Sequence, residues 1–202
     1  MKIILDKITE RQKLSITKGL LDYQYIMNNW KKNDSDFQKV FFDFYLKARW
    51  SVLGPENRKA YFSTLTDAES KNDLFVILEA LQESMQYQCK NPAYEFSIGS
   101  KLLHTREPSL PIYDSLVRQY LSEERDIHFW WNIPNNESGA PRGTSTLNKI
   151  KHDWTILCNW YKEFLNCPEG KEWIRWFITN YPDYANISNI KMIDFIIVAT
   201  TG

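Results

Sequence analysis

Apolar residues recur at steps of three and four along most of this chain, and no other feature restricts its fold as strongly. Ile16, Leu20, Tyr23, Met27 and Trp30 make one such stripe, which falls on a single face because an α-helix turns once in about 3.6 residues. Phe37, Val40, Phe41, Phe44, Tyr45 and Ala48 make a second, behind a Ser35 and Gln38 pair with the spacing of a capping box. Gly54 and Pro55 stop that helix, and Pro55 starts a short one to about Leu65. Ser70 and Asp73 again have capping-box spacing, ahead of Leu74, Ile77, Leu78, Leu81 and Met85, with Asn91 and Pro92 as the stop. Leu147, Ile150, Trp154, Leu157 and Tyr161 share a face of a later helix, and Pro168 opens another that carries Trp173, Trp176 and Phe177. The expected class is all-α: a compact multi-helix domain over residues 1–202, with 1–91 and 92–202 as its candidate lobes.

Two stretches break the period. Residues 127–145 read as a long loop that ends in a polar run with Gly139, Pro141 and Gly143. Ile193 to Val198 is rich in β-branched residues, yet a lone strand has no partner here, so a buried C-terminal helix is expected.

Composition narrows the function classes. Gly numbers only 7 of 202 and never forms G-x-G-x-x-G, G-x-x-x-x-G-K-[ST] or G-x-S-x-G, which argues against dinucleotide folds, P-loop NTPases and α/β-hydrolases. Aromatics make up 15%, with 8 Trp, ample for a core stabilised by about 25 cal/mol per Å² buried. Cys89, Cys158 and Cys167 include no C-x-x-C pair and read as reduced thiols of a cytoplasmic protein. His104, His128 and His152 are too dispersed for a metal motif, and neither a metal nor a cofactor is expected. Neither a signal peptide nor a membrane span is expected, because no apolar run approaches about 18 residues.

The 25 basic and 25 acidic residues cancel, but unevenly along the chain. Ten basic residues face five acidic ones from Arg11 to Lys59, whereas from Ala60 to Glu95 the counts are two and six. Phosphate binding depends on such local clusters rather than on the sum, so a basic face remains open, as does an ordinary solvated helix pair.

Residues 95–121 look most like a site. Ile98, Gly99, Ser100 and Lys101 precede a short apolar turn at Leu102 and Leu103; Pro108 and Pro111 follow, and then Tyr113, Asp114 and Ser115 open another helix. Asp114 suits an N-cap, its carboxylate accepting from the free backbone N–H groups of the next turn. The stretch resembles the helix-hairpin-helix DNA glycosylase superfamily. Against the pattern Leu-Pro-Gly-Val-Gly-x-Lys, the chain agrees at Ile98, Gly99 and Lys101, with Phe96 and Ser97 in place of the Pro and first Gly. Against Val-Asp-Thr/Ser-x-Val it has Tyr113, Asp114, Ser115, Leu116 and Val117.

That resemblance implies a DNA-binding, base-excision protein with double-stranded DNA as partner. It implies Lys101 as the amine that attacks the sugar of a flipped nucleotide to form a Schiff base, and Asp114 as the carboxylate that stabilises the developing cation. Backbone N–H groups at Gly99 and Ser100 would bind phosphate, and His104 would shuttle protons. Trp130, beside Phe129 and Trp131, would stack on a base, and Arg142 and Lys149, with Lys151 and His152, would touch phosphates. Each has a plainer reading: Lys101 and the residues of 142–152 as solvated side chains, Asp114 as a cap alone, His104 as a satisfied core ring, Trp130 as packing. Zero net charge fits an alternative, a non-catalytic helical module with a protein partner.

Overall fold

The computed structural model describes residues 3, 5–46, 54–67, 72–84, 96–130 and 146–202. Among them every regular element is a helix, so the fold class is all-α, as the apolar period requires. The helices are α1 (Glu10–Asn29), α2 (Ser35–Tyr45), α3 (Pro55–Thr66), α4 (Leu74–Ser84), α5 (Phe96–Arg106), α6 (Ser115–Glu124), α7 (Thr146–Asn166), α8 (Pro168–Asn180) and α9 (Asn189–Thr201). The chain packs as two compact units, one of residues 18–108 and one of residues 1–17 with 109–202. Helix α1 runs through the boundary at Thr17 and Lys18.

In the unit of residues 18–108, α1 buries Leu20, Tyr23 and Ile26, while Met27 and Trp30 of the expected stripe are half-buried. The helix α2 starts at Ser35, the residue that the sequence reading takes as its cap. Asp34, not Ser35, is the N-cap, and its carboxylate accepts from the Phe37 N–H at 2.9 Å. Gln38 does not close a capping box; its amide donates to the Asn33 carbonyl. Asn33 has φ of 50°, a left-handed conformation that Asn tolerates and that sets Asp34 up as the extended residue. Phe37, Phe41 and Phe42 of α2 meet Tyr61 and Phe62 of α3 with ring centroids 5.3 to 6.1 Å apart, the tilted and edge-on spacings that aromatic quadrupoles favour. Pro55 opens α3 behind Gly54, as expected. At α4 the Asp73 carboxylate accepts from Phe75 N–H; Ser70, Met85, Asn91 and Pro92 lie outside the described residues.

The helix α5 packs closely on α4 through Gly99. A Cβ at that position would stand 2.7 Å from Leu78 Cδ2, so the missing side chain is what lets the two helices approach. The sequence reading puts Gly99 in a turn ahead of a helix; it lies inside α5 instead, as its fourth residue.

In the unit of residues 1–17 and 109–202, α8 and α6 pack on α9, and α7 packs on both α8 and α9. The expected C-terminal helix is α9, with Ile193, Ile196 and Ile197 wholly buried. Ser188 caps it by accepting from Lys191 N–H. Cys167 caps α8 through its sulfur, with Pro168 as first residue, as expected, and Gly170 so near α7 that a Cβ would fall 1.9 Å from the Phe164 carbonyl oxygen. Arg125 fixes the end of α6 to α8 by a two-pronged bond to Glu169, at 2.7 and 3.0 Å, and by donation to the Tyr120 hydroxyl. Residues 127–130 are non-helical, as the loop reading expects; 131–145 lie outside the described residues. Cys158 and Cys167 are free thiols, and among the described residues no helix is long and apolar enough to cross a membrane.

Candidate functional site

The candidate residues divide between the two units. Gly99, Ser100, Lys101 and His104 share α5, all of them buried. A helix enclosed by its neighbours is normally apolar throughout, because each buried polar group costs roughly 1–3 kcal/mol unless it is hydrogen-bonded. On α5 every polar side chain of this run finds a bond. Lys101, 6% exposed, donates from Nζ to Ser97 Oγ at 2.9 Å. Ser100 Oγ donates to the Ser97 carbonyl at 3.0 Å, and Thr105 Oγ1 to the Lys101 carbonyl at 2.9 Å. His104 is fully enclosed, its Nε2 3.1 Å from the Tyr23 hydroxyl of α1. Lys101 is therefore not the solvated side chain of its plainer reading, and His104 is a satisfied core ring.

Asp114, in the other unit, is the N-cap of α6, accepting from Leu116 N–H at 2.9 Å. Half-buried itself, it acts electrostatically on a buried pair of charges. Asp194 and Lys191 of α9 lie 3.9 Å apart, and the Tyr161 hydroxyl of α7 donates to Asp194. Burial lowers the Lys191 ammonium from its ordinary value, against the attraction of Asp194 and Asp114. Burial likewise pushes the Asp194 carboxyl up to about 6, although Lys191 and Tyr161 oppose the rise. The Tyr161 phenol is held well above its ordinary value by burial and by the charge of Asp194.

A second buried carboxylate, Asp153 of α7, organises the neighbouring region. It is 0% exposed and accepts from the Trp130 backbone N–H at 2.7 Å, the Tyr113 hydroxyl at 3.4 Å and His152 Nδ1 at 3.1 Å. The Trp130 indole lies flat on the His152 ring, with centroids 3.5 Å apart and planes within 7°. Trp130 is thus attached to α7, the helix that carries Lys149, and Lys149 is 6% exposed rather than solvated. Arg142 lies outside the described residues.

The sequence reading finds Asp114 and Trp130 but misses what surrounds them: Tyr113, Asp153, Tyr161, Lys191 and Asp194. One signal was present. Lys191 and Asp194 stand three residues apart inside Ile190, Met192, Ile193, Phe195, Ile196 and Ile197, and a charged pair set among apolar residues at helical spacing is a buried pair. Among the described residues no three His, Cys, Asp or Glu side chains form a metal-binding group. A cleft of about 700 Å³ opens beside α8, lined by Leu5, Pro168, Glu172, Trp173 and Trp176 among others; it contains none of the candidate residues. The chain matches no protein-family model, and comparisons with curated proteins and with solved structures return no match.

Proposed function

We propose that the chain is a DNA-binding protein of the helix-hairpin-helix glycosylase type, excising a base through a Schiff base on Lys101. The observation that carries this reading is the state of Lys101: a lysine in the second turn of α5, 6% exposed and bonded to a serine hydroxyl. An ammonium kept only for solubility has no reason to be enclosed there. In the proposed reaction the neutral amine attacks C1′ of a flipped nucleotide, the glycosidic bond breaks with its electron pair on the base, which takes one amine proton, and the C1′–O4′ bond then breaks with its pair on O4′, which takes the other and leaves the imine. The resemblance gives Asp114, the cap of α6, the role of stabilising the positive charge that develops on the sugar.

The test is borohydride trapping with duplex DNA that carries a damaged base or an abasic site. The native chain is expected to give a covalent adduct and Lys101→Met to give none, with circular dichroism confirming that the variant is folded. No adduct from the native chain, or equal yields from both, overturns the reading. Gly99 favours the second reading, a non-catalytic helical module that binds a protein partner. Its place inside α5 against Leu78 serves packing rather than a phosphate-binding turn.

A further inference from the structure

The cleft beside α8 lies wholly within the unit of residues 1–17 and 109–202 and carries two kinds of polar group that the fold leaves unused. The first is an indole donor. Trp173 lines the cleft and is only 1% exposed, and its N–H forms no hydrogen bond among the described residues, yet that N–H is not sealed from solvent. A tryptophan buried to that degree ordinarily has its N–H paired, so this donor at the floor of the cleft is open to an acceptor from outside the chain. The half-buried Trp176 adds a second unpaired indole N–H. The other kind is carboxylate. Glu169 is already held by Arg125, but Asp6 and Glu172 are exposed and form no ion pair among the described residues, with Arg175 as the one cation of the lining. Leu5 contributes apolar surface beside them.

Together these groups specify a class of ligand. Indole donors call for carbonyl oxygens, which a simple amine lacks, and unpaired carboxylates call for a cation and repel a phosphate. A peptide with a lysine or arginine among apolar residues has both. The dimensions agree. Helix α8 lines the cleft from Pro168 to Thr179, roughly 16 Å at 1.5 Å per residue, which is the span of about five extended residues. We propose that this cleft binds an extended basic segment of a protein partner, whose backbone carbonyls accept from the Trp173 and Trp176 indoles and whose cationic side chain pairs with Asp6 and Glu172. The binding depends neither on Lys101 nor on DNA.

The probe is the blocked peptide Ac-Ala-Leu-Lys-Leu-Ala-NH2, titrated into the full chain, with the indole N–H resonances followed by NMR and the affinity by calorimetry. The Trp173 and Trp176 resonances, assigned from Trp173→Phe and Trp176→Phe, should move downfield while the other indoles stay. Glutamine in place of the peptide's lysine should weaken binding about threefold to tenfold, and glutamate should weaken it further. Each Trp→Phe change keeps a ring and removes a donor, and should weaken the lysine and glutamine peptides alike, by about threefold to tenfold. Glu172→Gln, at an exposed position, should weaken the lysine peptide about threefold and leave the glutamine peptide unchanged, a reading that stands even where Trp173→Phe does not fold. Equal binding of the three peptides overturns the proposal, because the cleft then selects no charge. Butylammonium chloride binding as tightly as the lysine peptide overturns it as well, because the carbonyls then contribute nothing. So does an unchanged spectrum at millimolar peptide. Borohydride trapping on DNA is a separate measurement, so this proposal and the Schiff-base reading fail independently.

Discussion

Gly99 shows how one residue can carry two meanings. Two positions ahead of a lysine it reads as a turn glycine, yet its neighbours place it in a helix whose closest contact is Leu78. The two accounts differ in what a methyl group does. Gly99→Ala gains helix propensity of about 1 kcal/mol and loses about 1–3 kcal/mol to overpacking, because the obstructing Leu78 methyl is the movable end of a side chain. The expected net loss in urea unfolding is therefore small, and Leu78→Val should reverse it. Gly170→Ala should cost more, since its methyl would meet the Phe164 backbone oxygen, which cannot rotate away. The opposite order would contradict the packing described.

Asp194 also acts at this scale. Its carboxyl titrates near 3.8 when unconstrained and near 6 in the folded chain. Between those values the folded chain holds a proton that the unfolded chain has released. The resulting stability is complete below about pH 4 and is lost as pH rises through about 6, by roughly 3 kcal/mol over the two pH units. Lys191, Tyr161 and Asp114 are the charged or titrating groups that face it. Urea midpoints measured from pH 4 to 7 should fall in the native chain and should flatten in Asp194→Asn; an unchanged slope would mean that Asp194 is not the group responsible.

At the level of elements, the apolar period finds the helices because burial of one face decides where they form. For α9 the period is silent, since its β-branched run suits a strand by propensity; there the lack of a partner strand points to the helix that the structure has. Helix ends are less legible. Asp34 and Ser35 are both N-cap residue types, and the sequence does not show which is extended; the left-handed Asn33 decides it. Asp34→Ala should therefore cost about 1 kcal/mol and Ser35→Ala only a few tenths in thermal unfolding. Equal effects would restore the capping box. The candidate residues follow the same division. Asp114 as a cap is local chemistry and is readable, whereas Asp153 as a hub depends on Trp130, Tyr113 and His152 meeting through tertiary packing, which no spacing encodes.

For the whole molecule, the fold class was legible and the grouping of the chain was not. Residues 1–17 join residues 109–202 in one unit, a long-range pairing that leaves no mark in local composition. Lys101 stands 13 positions before Asp114, and the boundary between the two units falls within that interval. The neutral total charge is equally silent, because three lysines, Lys101, Lys149 and Lys191, are each 6% exposed and present little charge to solvent. Equal enclosure makes these three the natural competitors for any buried-amine chemistry. Peptide mapping of the borohydride-trapped adduct separates them most directly. The adduct should lie on Lys101 alone; an adduct on Lys149 or Lys191, or one spread over exposed lysines, would contradict the assignment of Lys101 as the nucleophile.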